Sequence, residues 1–572
     1  MTKKLSISGG SLVAKSLVQE DVKYVFSISG GHINPIYRGL VEEGIEIITT
    51  RHEQAAGNAA EGWAKITRTP GICLVTAGPG FANIIPALIS AYYSKSPIVA
   101  ITGHTPLKHI DLYASQELDQ IPLITPVTKY AKMVYDTARI PQYIQEAFRA
   151  ATAENMGPAL VDIPQDIQTL HWEIDDENRY FNLPPSKYRT QGKTYPDPLL
   201  VKEAAKLLVE AQNPIIIAGS GVYWGNAAEE IFSLTEFMSI PLAYFDLGKG
   251  CIPDLHPLSI GNASQNPILC RADVILAIGV TFEELLGFGT NPMFYDPDVK
   301  VINVDPDPTH LGKNRPLSLG VVSSIAPFLK ELIFTLKKIT QVRNMHLNWA
   351  NTAKKDRNEL ESLIIGHVTE SHEVPIKPQR LTKELQSFLD HDTRLILDGG
   401  DTTVWAQLIL KADYPGQIIG SQGHLGHLGA GLPMGIAAKL AEPEKNIIVL
   451  TGDGSFLFNG AEIDTAIRYD LPLVIIIEND SQWGMIAHNQ DLSWGERIGT
   501  TLDEKGHIDY VKFAESLGGQ GELVTRPEDI TNAVKKARDS GTVSLVDVRI
   551  DPFETNILNQ LAAAKSDPDY WK

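Results

Sequence analysis

The sequence predicts an α/β protein made of three doubly wound parallel-sheet domains. Two observations carry this prediction. Short apolar runs alternate with amphipathic helical stretches along the chain, and the alternation falls into three segments separated by polar connectors. Strands that alternate with helices form βαβ units, whose strands are parallel. At 572 residues the chain is also too long for one hydrophobic core.

The first segment covers residues 1–185. Its β-like runs are KYVFSIS, IEIITT, GICLVTAG and SPIVAITG, and each ends at a glycine or a polar turn. Helical patterns such as AAGNAAEGWAKI and NIIPALISAYYS lie between them. A Pro-rich polar stretch over residues 183–198 is interpreted as a linker.

The second segment, residues 190–345, repeats the alternation with PIIIAGSG, PLAYFD, ADVILAIG and VKVINVD. Its first strand runs into Gly219-Ser-Gly221, and another strand ends at Asp305. This arrangement resembles a nucleotide-binding turn, but the GxGxxxG spacing also fits a plain tight turn. Residues 346–380 are charged and helical and form a second connector.

The third segment, residues 381–555, contains TRLILDGG, QIIGSQG, NIIVLTGDG, LPLVIIIEND and VSLVDVRID as strands. The tail over residues 556–572 either folds over another part of the molecule or frays. The periodicity of the three segments does not by itself indicate what they bind.

Composition excludes several classes of protein. The hydrophobic share of 43% and the charged share of 21% are those of a soluble globular protein. There is no apolar run of a membrane-spanning length and no secretory pattern in MTKKLSISGG, so we expect a cytoplasmic protein without a membrane partner. The formal charge of −19 argues against nucleic acid but not against a small anion. We expect the three separate cysteines to be buried free thiols.

The most informative stretch follows two strands of the third segment. Asp453, Gly454 and Ser455 come directly after the first strand, and Asp480 follows the second. Because the ends of parallel strands meet at one edge of a sheet, the two aspartates should lie close together. Two carboxylates there suit Mg²⁺, and the N–H groups of Gly454 and Ser455 at a helix start suit a diphosphate. A capping aspartate in a strand-turn-helix is the structural alternative.

This stretch resembles the thiamine-diphosphate fingerprint, GDG followed about 25 residues later by an Asn pair, written here Asn479-Asp480. The whole chain resembles the family of acetolactate synthase, benzaldehyde lyase, oxalyl-CoA decarboxylase and 2-hydroxyacyl-CoA lyase. The resemblance implies pyrimidine-binding, central and diphosphate-binding domains, in that order, with thiamine diphosphate and Mg²⁺ as cofactors. It implies Asp453, Asp480 and the main-chain carbonyl of Gln482 as metal ligands. Asn479 is a competing assignment if the loop is shifted by one residue.

The family also requires a glutamate in its first domain, and TTRHEQAAGNAAEGWA places Glu53 there. A carboxyl group bonded to the pyrimidine ring promotes the tautomer that activates the reactive carbon of the cofactor, and such a carboxyl should be largely buried. A helix N-terminal charge is the alternative role of Glu53. Since Glu53 and Asp453 belong to different domains, which in this family come from different subunits, we expect a homodimer or a homotetramer.

Other positions follow the same resemblance. Those that match cofactor contacts are Gly426, Leu428, Asp401 and Thr402, and those that match substrate-facing polar residues of benzaldehyde lyase are His32 and Gln116. His32 is also compatible with a simple turn residue. Further candidates for the site are Glu117, His104 and His488.

The particular reaction is less determined. Anabolic acetolactate synthases share an arginine for the carboxylate of the second keto acid, and the matching stretch here, Phe282-Glu-Glu-Leu285, has leucine in its place. The central segment looks more like the enzymes that act on CoA thioesters, some of which bind ADP, although Asn155-Met156 replaces the basic residue expected near that nucleotide. We therefore expect a 2-hydroxyacyl lyase or carboligase with an acyl-CoA or keto acid substrate. The alternatives are acetolactate synthase, a flavin-bound oxidase and a non-catalytic scaffold that retains the fold.

Overall fold

The computed structural model describes residues 6–173, 181–190, 192–290, 298–340, 342–366, 368–420 and 424–564. Three six-stranded parallel sheets, each covered by helices on both faces, make up this part of the chain. The α/β class predicted from the sequence is confirmed. Within the described ranges, no helix has both the length and the apolar character that a membrane crossing requires.

The first sheet has the strand order β3-β2-β4-β5-β7-β6, and a small antiparallel pair, β1 and β8, lies beside it. The strands are β1 (Ser6–Ser8), β2 (Tyr24–Ser27), β3 (Glu46–Thr49), β4 (Gly71–Val75), β5 (Ile98–His104), β6 (Tyr130–Met133), β7 (Pro158–Pro164) and β8 (His171–Glu173). The helices are α1 (Gly9–Gln19), α2 (Asn34–Glu42), α3 (Glu53–Thr67), α4 (Pro79–Tyr93), α5 (Gln120–Ile124), α6 (Ile140–Ala151) and α7 (Gln165–Thr169).

The second sheet has the order β11-β10-β9-β12-β13-β14. Its strands are β9 (Pro214–Ala218), β10 (Leu242–Tyr244), β11 (Ser259–Asn262), β12 (Val274–Ile278), β13 (Lys300–Asp305) and β14 (Leu319–Val322). The helices around it are α8 (Pro198–Glu210), α9 (Ser220–Trp224), α10 (Ala228–Met238) and α11 (Ile325–Ile339). The long helix α12 (Leu347–Ile365) then leads to the third sheet and lies within the stretch that was interpreted as a charged helical connector.

The third sheet has the order β16-β15-β17-β18-β20-β19. Its strands are β15 (Thr393–Leu397), β16 (Ile418–Gly420), β17 (Asn446–Gly452), β18 (Val474–Asn479), β19 (Gln520–Val524) and β20 (Ser544–Arg549). The helices are α13 (Pro378–Leu385), α14 (Asp401–Ile409), α15 (Gly431–Ala441), α16 (Asp453–Asn459), α17 (Ile463–Arg468), α18 (Gly484–Trp494), α19 (Tyr510–Ser516), α20 (Ile530–Asp539) and α21 (Ile557–Ala564).

Each sheet has an apolar core on both faces, which explains why its strands are apolar without alternation. In β5, Val99 and Ile101 belong to the core on one face, and Ile98 and Ala100 belong to the core on the other. All four side chains are fully buried. Such strands can bind polar ligands only beyond their ends, so the candidate sites lie at the sheet edges.

The first and third domains of one chain pack directly against each other through α3 and α15. Small residues allow this close approach. A Cβ on Gly62 of α3 would lie 2.7 Å from the Cα of Met434 on α15. A buried ion pair between Lys65 and Glu61 (2.9 Å) lies at the same contact, where Lys65 also donates to the carbonyl of Gly420 (2.9 Å).

Candidate active site

A cavity of about 440 Å³ opens at the carboxyl edge of the third sheet. β17 and β18 are neighbours in register, with Gly452 opposite Glu478, so the residues that follow both strands reach the same edge. The ends of these strands, the first turns of α14, α16 and α18, and residues of the central domain line the cavity. The fold thereby brings Asp453 and Asp480 together.

The two aspartates form a buried acidic pair. Asp453 is 2% exposed and shares a hydrogen bond with Asp480. Its Oδ2 has no hydrogen-bond partner among the described residues. Burial and the neighbouring charge of Asp480 raise the pKa of Asp453. Two adjoining carboxyl groups without a counter-charge are unfavourable in a protein interior, and a divalent cation between them would remove that penalty.

The residues after β18 divide between the cavity and the core. Gln482 lines the cavity, and its amide group donates to Asp480 Oδ2 (3.2 Å) and to the carbonyl of Pro552 (2.8 Å). Asn479 instead donates from Nδ2 to Asp547 Oδ1 on β20 (2.8 Å) and is not among the described residues that line the cavity. Of the two competing positions, Asp480 is therefore the one that faces the cavity.

Two glycines keep the space around the acidic pair open. A Cβ on Gly484 would lie 2.3 Å from Asp480 Oδ2, and a Cβ on Gly454 would lie 2.6 Å from the ring of Trp483. Any larger residue at either position would displace a group at the site. Ser455 is buried beside Gly454 in the first turn of α16 and lines the same cavity. This turn presents backbone N–H groups and the positive end of the helix dipole.

Glu478 is a site residue that the sequence analysis did not single out. Its side chain is buried at the end of β18 and lines the cavity, and its Oε1 has no hydrogen-bond partner among the described residues. Burial raises its pKa to about 8, although a hydrogen bond from Thr402 opposes this shift. The signal was present in the sequence, since Glu478 is the one charged residue of a buried strand that is apolar up to that position.

The predicted cofactor contact Asp401 is engaged by the protein itself. Its Oδ2 lies 2.8 Å from Nδ1 of His488, and its Oδ1 accepts from the side-chain amides of Asn556 (2.7 Å) and Asn559 (3.0 Å). Although burial opposes it, the bond to Asp401 raises the pKa of His488. The described part of the C-terminal tail therefore folds over the third domain and fixes the first turn of α14.

Gly426 and Leu428 lie at the mouth of the cavity, on the loop before α15. Gly426 has a φ of +65°, a conformation that favours glycine. Between them, the buried His427 bonds through Nε2 to Asn58 Oδ1 on α3 (3.0 Å). Asp398 accepts hydrogen bonds from the N–H groups of Gly429 and Gly431 and thereby fixes this loop. Burial raises the pKa of Asp398 to about 6.

Glu53, the first residue of α3, is half-buried and accepts from Asn83 Nδ2 at 2.9 Å. It is not among the described residues that line the cavity, to which the first domain of the same chain contributes Tyr93. The two halves of the predicted site therefore lie on different surfaces of one chain.

His32 and Gln116 lie together at the edge of the first sheet. His32 is in a short 3-10 turn before α2, and its Nδ1 is 3.4 Å from the hydroxyl of Thr76, which is 3.5 Å from Gln116 Oε1. Burial lowers the pKa of His32, although a hydrogen bond with Gln116 opposes this shift. Gln116 has a φ of +63°, an uncommon conformation for this residue type.

The remaining candidates of the first domain have structural contacts. The nitrogens of the buried His104 face the carbonyl oxygens of Thr105 (2.9 Å) and Leu118 (3.1 Å). Glu117 accepts from the backbone N–H groups of Asp111 and Ala114 and thereby closes its own loop. Neither residue is among the described residues that line the cavity.

Within the described ranges, no three His, Cys, Asp or Glu side chains form a complete metal site. This agrees with an ion that takes two carboxylates from the protein and its other ligands from a main-chain carbonyl, water and phosphate. The unpaired Asp453 oxygen, the open space at Gly454 and Gly484, and the helix start fit a metal and a diphosphate. The central glycine turn has a packing explanation, because a Cβ on Gly221 would lie 2.5 Å from the Cα of Gly279.

A three-domain α/β architecture with a helix start at one sheet edge is typical of enzymes that bind a phosphorylated ligand at that edge. The comparisons with known proteins agree. Models of the thiamine pyrophosphate enzymes match the N-terminal TPP binding domain at residues 7–123, the central domain at residues 201–332 and the C-terminal TPP binding domain at residues 398–548. The chain belongs to the thiamine pyrophosphate enzyme family.

Curated relatives cover nearly the whole chain. The probable acetolactate synthase large subunit of Methanocaldococcus jannaschii is 35% identical over 96% of this chain and 93% of its own length. The acetolactate synthase large subunit of Mycobacterium tuberculosis is 32% identical over 96% of each chain, and the isozyme 3 large subunit of Escherichia coli is 28% identical over 96% of each. The protein is a thiamine-diphosphate-dependent enzyme, and these names favour the acetolactate synthase alternative over the 2-hydroxyacyl lyase.

Proposed function

We propose that this enzyme is a thiamine-diphosphate- and Mg²⁺-dependent carboligase that takes its acyl unit from a 2-keto acid. The observation that carries this proposal is the buried Asp453–Asp480 pair at the sheet edge, with one carboxylate oxygen unpaired. The names of the relatives supply the reaction class. When bound, the cofactor supplies a nucleophilic carbon and an electron sink for cleavage beside a carbonyl group.

In this proposal the third domain holds the diphosphate end. Asp453, Asp480 and the main-chain carbonyl of Gln482 bind Mg²⁺. The N–H groups of Gly454 and Ser455 at the start of α16 bind the phosphates, because an anion is stabilised there by the orphan donors and the helix dipole. The metal also neutralises the acidic pair, whose crowding raises the pKa of Asp453.

Two further segments of the third domain contribute to binding. At the start of α14, Thr402 lies beside Glu478, while the Asp401 carboxylate is already bonded to His488 and the tail. We therefore assign Asp401 to positioning this turn and Thr402 to the cofactor. The exposed Gly426 and the half-buried Leu428 receive the pyrimidine end and support its bend.

The first domain carries out the proton steps. Glu53, held by Asn83, exchanges a proton with the pyrimidine ring. His32 and Gln116 face the reacting carbonyl and move a proton to or from its oxygen. The lowered pKa of His32 makes it neutral at pH 7, so that it accepts a proton before it donates one.

We also propose a homodimer or homotetramer, because Glu53 lies outside the cavity that contains Asp453. A second copy would bring its first domain to this cavity. The relatives are named large subunits, so association with a smaller subunit is part of the same proposal.

A 2-hydroxyacyl lyase remains the second candidate, since Leu285 lines the cavity where an acetolactate synthase has an arginine for a carboxylate. Binding of ADP or another nucleotide in the central domain is not part of the proposal. The packing of Gly221 against Gly279 accounts for the glycine turn that suggested it.

The test of the proposed function is cofactor-dependent chemistry. Dialysis against a chelator should abolish turnover, and Mg²⁺ and thiamine diphosphate together, but neither alone, should restore it. The restored enzyme is then given pyruvate, benzoin, oxalyl-CoA and a 2-hydroxyacyl-CoA, and the products are identified by mass. Release of CO₂ from pyruvate supports the carboligase, while cleavage of the 2-hydroxyacyl-CoA alone supports the lyase. Activity that survives verified removal of both cofactors contradicts both candidates.

A further inference from the structure

The central domain forms one end of the active-site cavity, and this end is acidic. Asp246, which follows β10, and Glu283, which follows β12, line it together with Leu285. Phe245, Asn262, Ser264, His424 and Tyr93 also line the cavity, and the rings of His424 and Tyr93 lie 4.7 Å apart. The other end of the same cavity holds the Asp453–Asp480 pair, so a molecule bound at the central end lies in the same space as the proposed cofactor.

Carboxylic acids are the main ionisable groups in the lining of the whole cavity. Among the described residues, none of those that line it is lysine or arginine, while eight are carboxylic acids: Asp246, Glu283, Asp401, Asp453, Glu478, Asp480, Asp551 and Glu554. Lys377, from behind the cavity, pairs with Asp551 (2.7 Å) and Glu554 (3.0 Å). His488 pairs with Asp401 (2.8 Å). The acids at the central end have much weaker compensation.

Glu283 shows this lack of compensation. The ring of His424 is 3.8 Å from its carboxylate, and Asp246 is bonded to the hydroxyl of Ser220 (2.5 Å) rather than to a cation. Burial, and then the charges of Asp246 and Glu284, raise the pKa of Glu283 to about 7, while the more distant Lys313 opposes them. A ligand that donates hydrogen bonds or carries a positive charge would relieve this crowding, and an anion would increase it.

From these contacts, and resting on the proposed function, we infer that the acceptor in the carboligation has no carboxylate. The central end of the cavity accepts a carbonyl compound that carries a hydroxyl or an ammonium group, which Asp246 and Glu283 bind as hydrogen-bond acceptors. Leu285 packs against its carbon chain. A second 2-keto acid, the acceptor implied by the names of the relatives, would place its carboxylate beside Glu283, where none of the described lining residues is a lysine or arginine that could pair with it.

The overall step is balanced and involves no oxidant. In the donor R–CO–COO⁻, the bond between the keto carbon and the carboxylate carbon breaks and CO₂ leaves. The electron pair left at the keto carbon forms the new bond to the carbonyl carbon of the acceptor, whose oxygen takes up one proton. The products are a 2-hydroxyketone and CO₂.

Three acceptors of nearly equal size separate the possibilities: aminoacetone, hydroxyacetone and pyruvate, which carry an ammonium, a hydroxyl and a carboxylate on the same acetyl unit. The holoenzyme is given ¹³C-labelled pyruvate as donor with each unlabelled acceptor, and the mixed products are counted by mass. We expect kcat/KM for aminoacetone and hydroxyacetone to exceed that for pyruvate by ~10-fold or more, as a difference of one buried ionic contact would give. An enzyme that prefers pyruvate as acceptor overturns the inference.

Two variants test whether the preference among acceptors arises at the central end of the cavity. Glu283→Gln should lower kcat/KM for aminoacetone by ~10-fold and that for hydroxyacetone by less, because the glutamine amide still accepts a hydrogen bond but carries no charge. Leu285→Arg should raise kcat/KM for pyruvate as acceptor, because it supplies the missing cation. The matched controls are Glu229→Gln and Leu255→Arg, on exposed positions of the same domain outside the cavity, and neither should change the order of acceptors. An unchanged order in both cavity variants overturns the inference.

A binding measurement keeps the inference testable if no donor is cleaved. The unreactive analogues 1-amino-2-propanol, 1,2-propanediol and lactate carry the ammonium, hydroxyl and carboxylate groups of the three acceptors. Their affinity for the holoenzyme is measured by calorimetry. We expect lactate to bind weakest, and the affinity for the amine to rise as the pH rises through about 7, where Glu283 ionises. Tighter binding of lactate contradicts the acceptor assignment. Failure to cleave any 2-keto acid, with the expected order of analogues, contradicts the proposed reaction alone.

Discussion

The diphosphate half and the proton-transfer half of the proposed site differ in how completely one chain builds them. Around Asp453 the third domain lines a cavity with buried carboxylates and a fixed helix start. In the first domain, by contrast, Glu53 and His32 are half-buried and Gln116 is exposed, and the contacts of Thr76 with His32 and Gln116 are long, at 3.4 and 3.5 Å.

The difference shows two ways in which a site can be incomplete. The third-domain half is crowded with like charges, and in our proposal a cation completes it. The first-domain half is open, and in our proposal the surface of a second subunit completes it, since catalytic hydrogen bonds often tighten only in the assembled complex. We therefore make a separate prediction for each half, one about the cation at the third domain and one about the second subunit at the first domain.

The largest effect is expected at the third-domain half. Asp453→Asn removes one of the proposed metal ligands and should leave no measurable turnover. Because the pKa of Asp453 is raised in the folded protein, its ionisation destabilises the cofactor-free fold progressively as the pH rises above the unfolded value of about 3.8. The cofactor-free variant should therefore melt at a higher temperature than the parent at pH 8, and at the same temperature near pH 4. Differential scanning calorimetry at both values measures this.

An exposed acid of the same domain provides the control, since Asp529→Asn should change neither the activity nor the pH dependence of melting. If the Asp453→Asn protein still turns over, or melts lower than the parent at pH 8, the acidic pair does not have the role assigned to it.

The next largest effect is expected at Glu53. Glu53→Gln should lower kcat by ~10²–10⁴-fold, the usual range for a general acid–base group. Binding of thiamine diphosphate, followed by the fluorescence of Trp483 beside Gly454, should be nearly intact. A mixture of Glu53→Gln and Asp453→Asn chains, refolded together, should regain part of the activity, because one kind of site then has both residues. A fully active monomer in sedimentation experiments would contradict the assembly.

A smaller effect is expected at His32, which we propose acts on the substrate and not on the cofactor. His32→Ala should lower kcat by up to ~10²-fold, at the lower end of the acid–base range, and leave proton exchange at the reactive carbon of the cofactor unchanged. Since burial lowers the pKa of His32, the acidic limb of the pH–rate profile should lie below about 6.5 in the parent and disappear in the variant. Normal turnover with reduced stability would identify His32 as a turn residue and favour Gln116.

The fold and the acidic pair could be predicted from the sequence because both depend on strand periodicity. Fully buried runs such as β17 and β18 indicate a parallel sheet, and parallel strands bring Asp453 and Asp480 to one edge. The engagement of Asp401 by Asn559 could not be predicted in this way, because it depends on where a distant tail folds. The acidic end of the cavity at Glu283 could not be predicted either, because neither a local sequence pattern nor a spacing indicates which domains share a cavity.

The smallest effect concerns the link between the two halves inside one chain. His427 Nε2 donates to Asn58 Oδ1 (3.0 Å), and both residues are buried. His427 lies between Gly426 and Leu428, whereas Asn58 lies on the helix that begins with Glu53, so this bond joins the loop at the pyrimidine end to the helix that carries the proposed acid. Because burial lowers the pKa of His427, the ring is a neutral donor at pH 7, and the bond should not depend on pH between 7 and 8.

A double-mutant cycle with His427→Ala and Asn58→Ala measures this link. We expect a coupling energy of about 0.5–1.5 kcal/mol in the affinity for thiamine diphosphate, the usual contribution of one buried hydrogen bond. His427→Gln, which retains a donor, should recover part of it. If the single variants add without coupling, the loop and α3 are fixed independently, and the two halves of the site communicate only through the assembled subunits. A coupling that appears in cofactor affinity but not in melting temperature would show that the bond orients the loop rather than merely stabilising the interface between the domains.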